Sequence, residues 1–228
     1  MHKSELEKIL FKCRSELHSI IPFDFNKSGI HIDLSIDNKE LEYIDPDTSE
    51  GWEDYIWAYM SKNNALVCAG GYREERSRYV RSSAYHTDNG PRIMHMGMDI
   101  WAVSGTPLFS PLDAVIHSFK DNANYLDYGP TIILEHELAG IKFHTLYGHL
   151  SRESLEGKQK GQKVKGGDIF SHLGTTEVNG NWPPHLHFQL ILDMKNMEGD
   201  FPGLCTKFDL EDFSENCPDP NLLLDFKF

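Results

Sequence analysis

Residues 181–190 read NWPPHLHFQL and place His185 and His187 one residue apart in a run that otherwise has the composition of a β-strand. In a strand, residues i and i+2 point to the same face, so the two imidazoles project side by side while Leu186 faces the other way. Imidazole is the commonest metal-binding side chain near neutral pH. The pair is therefore a candidate metal or catalytic site, and two surface histidines on an edge strand are the alternative.

Outward from this stretch, the segment HMGMDIWA at 95–102 holds His95 and Asp99 four residues apart, with Gly97 between them. Glycine permits backbone conformations that other residues resist, so the segment can turn both side chains toward one point. A histidine nitrogen and an aspartate oxygen are both good zinc ligands. Methionine and tryptophan neighbours indicate an apolar setting, where an unpaired carboxylate is costly. A turn with a solvated carboxylate is the alternative.

A third candidate is His149, which ends a predicted strand in LYGHLS at 146–151. A lone histidine is more often a core or turn residue than a functional one. Tyr147 lies two residues earlier and is expected to share its strand face. Asn124 lies in DNANYLDYGP at 121–130, which has the composition of a turn.

The periodicity of the chain predicts three regions. Apolar spacing predicts helices at about 3–19 and 48–64, and alternation predicts a strand over 29–36. Between 66 and 195, many short β-type runs are separated by turn residues, which indicates an antiparallel all-β domain. We therefore expect a mainly β protein, α+β overall, with an N-terminal α/β lobe at 1–65, a β domain at 66–195 and an irregular C-terminal strap at 196–228.

Composition restricts the partners and the location. The 228-residue chain has a formal net charge of −13, which disfavours binding to nucleic acid. No apolar run approaches the length of about 18 residues that a membrane helix needs, so no membrane partner is expected. The N-terminus does not read as a signal peptide, so a cytoplasmic location is expected. Four widely spaced cysteines suit reduced, buried thiols, with a Cys205–Cys217 disulfide as the alternative.

The order of the motifs resembles a known family. His-x-x-x-Asp, then Tyr-Gly-His-Leu, then His-Leu-His-Phe is similar to the pattern of the lysostaphin-like (LytM-type) zinc metallopeptidases, and the resemblance extends from about residue 66 to 195. Two intervening runs also fit: GTPLFSPLDAVIHSF at 105–119 looks like a hairpin of that family, and KGQKVKGGDIFSHLG at 160–174 looks like one of its turns. The resemblance implies an antiparallel, barrel-sandwich-like metallopeptidase domain.

The same resemblance implies a role for each histidine of the motifs. His95, Asp99 and His187 match the zinc ligands, so Zn²⁺ is the expected cofactor. His149 and His185 match the two catalytic histidines beside a metal-bound water that attacks a peptide bond. Zinc lowers the pKa of such a water from about 15.7 to about 7, and a histidine can move its proton to the leaving amine.

Four further residues are candidate substrate contacts. Asn124 and Tyr147 lie in or near the matching motifs, although turn formation and packing are the alternative for both. Trp182 stands where lytic members of the family carry small residues that shape the groove, so it is expected to cap or narrow the site. Arg73, in GYREERSRYVR at 71–81, is expected to bind a substrate carboxylate, with a solvated mixed-charge loop as the alternative.

These observations favour a zinc metallopeptidase or amide hydrolase that acts on a peptidoglycan-type peptide, another small peptide or an amidated small molecule. Two alternatives stay open: a cytosolic metal-dependent hydrolase of a small metabolite, and a non-catalytic binding or regulatory module of the same fold. The sequence does not indicate an oligomeric state.

Overall fold

The computed structural model describes residues 3–87 and 90–228. The helices described, α1 to α6 in chain order, are Lys3–Lys12, Phe25–Ser28, Glu50–Lys62, Ser77–Arg81, Leu210–Asn216 and Asn221–Leu224. Short 3₁₀ helices cover Arg14–Glu16, Lys39–Tyr43, Ser83–Tyr85 and Arg152–Leu155. The strands, β1 to β15, are Gly29–His31, Val67–Gly70, Glu74–Glu75, His86–Thr87, Gly90–Pro91, Met94–His95, Met98–Trp101, Pro107–Phe109, Ala114–Asn122, Gly129–Leu138, Ile141–Gly148, Lys163–Val164, Ile169–His172, His185–Ile191 and Leu204–Cys205.

Eight strands form the main sheet, in the order β1-β2-β7-β14-β11-β10-β9-β12. Every pairing in it is antiparallel except that of β1 with β2. The predicted antiparallel, mainly β fold is therefore confirmed. Within the described residues the sheet has two ends, so it is open and not closed into a barrel.

Strand β14 carries the HLHFQLI run and lies inside the sheet, between β7 and β11. All seven of its residues are buried. The alternative of two surface histidines on an edge strand is therefore wrong, because both faces of this strand are covered.

The two faces of the sheet pack against different elements. On one face, Leu186 and Phe188 belong to a core cluster that includes Leu6 and Leu10 of α1 and Phe226 from the C-terminal tail. A second cluster lies around Met96, Leu146 and Trp182. The third cluster joins helix α3 to the β1–β2 end of the sheet.

The N-terminal elements are shorter than predicted. The predicted helix over 3–19 ends at Lys12, and the His18 N–H instead donates to the Pro111 carbonyl at 3.0 Å. The predicted strand over 29–36 ends at His31, because the Asp33 carboxylate accepts from the Ser35 N–H at 2.8 Å and turns the chain. The predicted second helix is confirmed as α3.

The C-terminal tail was predicted to be irregular, and the structure corrects this: it contains β15, α5 and α6. Leu223 and Phe226 of this tail lie in the first core cluster. The division at residues 65 and 195 stays a prediction, and β1 of the N-terminal segment pairs directly with β2 of the main sheet.

All four cysteines are free, so Cys205 and Cys217 do not form the alternative disulfide. Across residues 3–87 and 90–228, no helix has both the length and the apolar character needed to cross a membrane.

Candidate active site

Three side chains from two strands of the main sheet and a short neighbouring strand converge on one point. His95 Nε2 lies 3.0 Å from His187 Nδ1 and 3.2 Å from Asp99 Oδ1, and His187 Nδ1 lies 3.1 Å from the same oxygen. All three residues are at most 3% exposed. The three predicted metal-ligand residues thus form a nearly equilateral triangle of potential donor atoms.

Hydrogen bonds to the outer nitrogens of His95 and His187 determine that the inner nitrogens, which face the triangle, are unprotonated and carry lone pairs. His95 Nδ1 lies 3.0 Å from the Gly71 carbonyl oxygen, and His187 Nε2 lies 3.0 Å from Gln189 Oε1. Carbonyl oxygens only accept, so both outer nitrogens donate and both inner nitrogens carry lone pairs. Two lone pairs and a carboxylate oxygen meeting within 3.2 Å repel one another unless a cation lies among them.

The donor set fits zinc. Tetrahedral zinc with ligand bonds of about 2.0–2.2 Å has neighbouring ligand atoms roughly 3.3–3.6 Å apart. The triangle here, with edges of 3.0–3.2 Å, is close to that spacing. Two imidazoles and one carboxylate also leave a fourth position for water or substrate, which is how catalytic zinc is held.

Strand register brings these residues together. His187 of β14 pairs directly with Asp99 of β7, and His95 lies on β6 just before the turn that leads into β7. Gly97 forms that turn. A Cβ at Gly97 would lie 2.5 Å from His187 Cε1, so only glycine lets the turn approach the ring.

The other two predicted histidines stand beside the triangle. The rings of His149 and His185 are 4.2 Å apart between centroids. Nδ1 of His149 donates to the Asn179 carbonyl at 2.8 Å, and Nδ1 of His185 donates to the Pro183 carbonyl at 2.7 Å. Nε2 is therefore the lone-pair nitrogen of each ring, and that of His185 lies 3.8 Å from Asp99 Oδ1.

Burial keeps both of these histidines neutral near pH 7. It holds the pKa of His149 well below the usual 6.5, and the neighbouring His185 adds to the effect. Burial also lowers the pKa of His185 to about 4, although Asp99 acts in the opposite direction. Neutral imidazoles with a free Nε2 can accept a proton, as general bases must.

Sequence reasoning missed the partners of Asp99. Its second oxygen, Oδ2, lies 3.1 Å from Arg76 Nη1, and Arg76 Nε lies 2.5 Å from Glu74 Oε2. Burial alone would raise the pKa of Asp99, but His95 and Arg76 outweigh it and hold the pKa well below its usual range. The alternating Glu74-x-Arg76 spacing, which puts both on one strand face, was the available signal.

Tyr128 and Gln189 were also missed as neighbours of His187. The Tyr128 hydroxyl donates to the Phe201 carbonyl at 3.2 Å and lies 3.4 Å from His187 Nε2. Gln189 accepts from His187 and donates to the Pro202 carbonyl at 3.2 Å. Both fix the orientation of the imidazole.

The site opens into a cavity of about 700 Å³, which lies in the usual size range of small-molecule and peptide-end pockets. Asn124 and Trp182 line this cavity. The three predicted metal ligands and the two predicted catalytic histidines line it too: His95, Asp99, His187, His149 and His185. The structure does not bring Tyr147 or Arg73 to the cavity. The left-handed φ of +61° at His149 breaks the strand alternation, so Tyr147 faces the core, while Arg73 pairs with Glu211 at 2.7 Å.

The fold brings together the donor set and the neutral histidines that a metallohydrolase needs. Two solved structures are similar: the catalytic domain of lysostaphin from Staphylococcus simulans (24% identity, 52% of this chain, 80% of that chain, TM-score 0.38) and a zinc-containing peptidase from Vibrio cholerae (24%, 53%, 32%, TM-score 0.38). The DD-carboxypeptidase/endopeptidase Mpg of Neisseria meningitidis serogroup B is 33% identical over 125 residues, which are 53% of this chain and 26% of that protein.

Residues 93–198 match the family model of Peptidase family M23. This match covers a little under half of the chain and agrees with the resemblance to lysostaphin-type enzymes. M23 peptidases are zinc-dependent hydrolases of peptide bonds, and the enzyme class and cofactor predicted from the sequence are those of that family. The chain spans about a quarter of the length of the curated relatives it matches.

Proposed function

We propose that this protein is a zinc-dependent peptidase that hydrolyses an amide bond in a peptidoglycan-type or other short peptide. The observation that carries the proposal is the meeting of two imidazole lone pairs and a carboxylate oxygen within 3.2 Å, beside two further neutral histidines. A structural zinc site would close all four positions with protein ligands, and this one supplies three.

Each residue then has a distinct task. His95, Asp99 and His187 hold the metal, and bound zinc supplies a Lewis acid and a water acidic enough to ionise near neutral pH. His149 and His185 accept a proton at Nε2 and return it to the leaving amine. Gly71, Gln189 and Arg76 keep the ligands in their tautomers and charge states.

The substrate class is proposed from the relatives and the cavity. Mpg of Neisseria is by its name a DD-carboxypeptidase/endopeptidase, and M23 peptidases act on peptidoglycan. A cavity of about 700 Å³ lined by Asn124 and Trp182 suits a few residues of a peptide, so these two side chains are proposed substrate contacts. We do not extend the proposal to Tyr147 and Arg73.

The test is hydrolysis by zinc-loaded protein of a panel of muropeptides and dipeptides, followed by mass spectrometry of the products. We expect cleavage that stops on chelation and returns with added Zn²⁺. Turnover of a small non-peptide amide, with no cleavage of any peptide, would favour the metabolite hydrolase instead. Zinc binding without any turnover would favour the non-catalytic module.

A cytoplasmic location is part of the same proposal. Four free thiols, three of them buried, suit a reducing compartment. Fractionation of the source cells with an antibody to the protein tests this, and recovery outside the cytoplasmic fraction would contradict it.

A further inference from the structure

Arg78 is a buried cation without an ionic partner. It lies on α4, is 4% exposed, and uses Nε to donate to the Pro46 carbonyl at 2.8 Å. Its Nη2 is buried without a hydrogen-bond partner, and no carboxylate of the described residues lies within 4.0 Å of the guanidinium. A buried, unpaired charge is costly, so such a group calls for a counterion from elsewhere.

Arg76, two residues earlier, shows the contrast. It is equally buried, but Glu74 and Asp99 flank it. Burial lowers the pKa of Arg76, yet these two carboxylates outweigh it and the pKa lies above the usual value. For Arg78, burial lowers the pKa and nothing nearby compensates fully. Arg76 is therefore neutralised by carboxylates of the protein, whereas Arg78 has a donor, Nη2, that is available to an anion from outside the chain.

Arg78 lies against Trp182, which lines the active-site cavity. The Arg78 guanidinium stacks on Trp182, with 4.3 Å between its carbon and the ring centroid, and lies 5.6 Å from the Trp52 centroid. Both tryptophans and Arg78 line a small cavity of about 30 Å³. The indole N–H of Trp182 is a second buried donor without a partner. A space of this size holds a group of a few heavy atoms.

The small cavity adjoins the main one. Tyr79, Asp99, Trp182 and His185 line both. His185 and Trp182 line both cavities and Arg78 lines the small one, so a chain end that extends from the catalytic histidines into the small cavity meets the guanidinium. A guanidinium matches a planar carboxylate with two parallel hydrogen bonds.

We propose that the small cavity binds the C-terminal carboxylate of the peptide substrate, with Arg78 as its counterion and the Trp182 N–H as a second donor. The inference rests on the proposed function and makes the enzyme a carboxypeptidase that removes one small residue from a free chain end. In that reaction water is consumed: its oxygen bonds to the penultimate carbonyl carbon, the last C–N bond breaks, and a proton reaches the leaving amine through Nε2 of His149 or His185.

The test compares peptides that differ only at the C-terminus. Acetyl-Lys-D-Ala-D-Ala and acetyl-Lys-L-Ala-L-Ala are each assayed as the free acid and as the C-terminal amide. Whichever of the two peptides, D-Ala or L-Ala, the wild-type, zinc-loaded protein cleaves, we expect a higher kcat/KM for its free acid than for its amide. Arg78→Gln is expected to lower kcat/KM for the acid by about 10- to 100-fold, because one charge-assisted pair is lost. The kcat/KM for the amide is expected to change less than about threefold.

Three variants complete the design. Arg78→Lys keeps the charge but not the paired donors, so the ratio of kcat/KM for the acid to that for the amide is expected to fall about tenfold. This variant replaces Arg78→Gln in the test if Arg78→Gln does not fold. Arg152→Gln, an exposed arginine paired with Asp121 outside both cavities, is the matched control and should keep the wild-type ratio. Arg73→Gln tests the competing arginine predicted from the sequence.

The proposal is overturned if the wild type hydrolyses acid and amide equally, if Arg78→Gln lowers both equally, or if Arg73→Gln alone removes the preference. Calorimetric titration separates this from failure of the proposed function. If no peptide is cleaved, tighter binding of the free acid than of the amide by wild type, with the difference absent in Arg78→Gln, would still support the carboxylate site. Equal binding of acid and amide by wild type would refute it.

Discussion

At the scale of single residues, the site depends on which nitrogen of each histidine carries a lone pair. His95 and His187 present theirs to the triangle because carbonyl oxygens take the opposite N–H groups. His149 and His185 use Nδ1 in the same way but leave Nε2 for the substrate side. The division of four imidazoles into two ligands and two bases therefore follows from backbone and amide acceptors around them.

This division predicts opposite effects of two substitutions. His187→Ala should lower zinc content, because one of three ligands is lost. His149→Ala should keep zinc but lower kcat by about 10²- to 10⁴-fold, the range for loss of a general base. Zinc content by plasma mass spectrometry and peptide hydrolysis measure the two effects. His172→Ala, outside the site, is the control, and normal turnover by His149→Ala would contradict the assigned role.

Gly97 tests how closely the turn must approach His187. In Gly97→Ala the new methyl would lie 2.5 Å from the ring, and the ring must move. We expect about 10- to 100-fold weaker zinc binding, the range seen when groups that orient a ligand are changed. Gly51→Ala on helix α3 is a control for loss of a glycine away from the site, since its Cβ position meets only the Ile44 side chain, at 3.1 Å. Unchanged zinc affinity in Gly97→Ala would mean that the turn is not restrictive.

At the scale of elements, β7 and β14 carry Asp99, His185 and His187, so their packing positions the site. Ile100 on β7 pairs with Leu186 on β14 and is fully buried. Ile100→Ala should lower the free energy of unfolding by about 2–5 kcal/mol, through lost burial and the cavity left behind. The same change at Ile169, which is 54% exposed, should cost far less. Urea denaturation measures both, and equal losses would contradict this account of the core.

How far the sequence predicts the structure differs among the elements. Alternation in HLHFQLI and the motif order predicted β14 and the three converging residues, since strand geometry alone puts His185 and His187 on one face. Tyr147 shows where alternation fails: the left-handed residue His149 breaks the periodicity, and no local pattern signals it. The contacts of Arg76 with Glu74 and Asp99 were not predicted, because a run of mixed charges is typical of a solvated loop and only tertiary packing buries this one. The tail helices were missed because each has seven residues or fewer and is stabilised by long-range contacts.

At the scale of the whole molecule, buried neutral histidines make stability depend on pH. His136 lies on β10, outside the metal-ligand triangle. Its Nδ1 donates to the Asp113 carbonyl at 3.2 Å, its Nε2 lies 2.7 Å from the Thr145 hydroxyl, and burial lowers its pKa from 6.5 to about 4. Below pH 6.5 the unfolded chain binds a proton that the folded chain does not, so stability falls between pH 6.5 and 4 and is retained above that window. The depression corresponds to about 3 kcal/mol.

We therefore expect the free energy of unfolding to decrease as the pH falls from 6.5 to 4, and His136→Gln to reduce the slope over that window. Urea denaturation at half-unit pH steps measures both. His172→Gln, at an exposed position, is the matched control. A slope that is the same in wild type and His136→Gln would show that His136 does not titrate in this way.

The whole account depends on one metal ion held by His95, Asp99 and His187. X-ray absorption at the zinc edge of protein loaded with one equivalent of Zn²⁺ tests it most directly. We predict four-coordinate zinc with only nitrogen and oxygen neighbours at about 2.0–2.2 Å, including the multiple scattering of two imidazoles. A sulfur shell at about 2.3 Å, or zinc that does not stay bound in stoichiometric amount, would contradict the account.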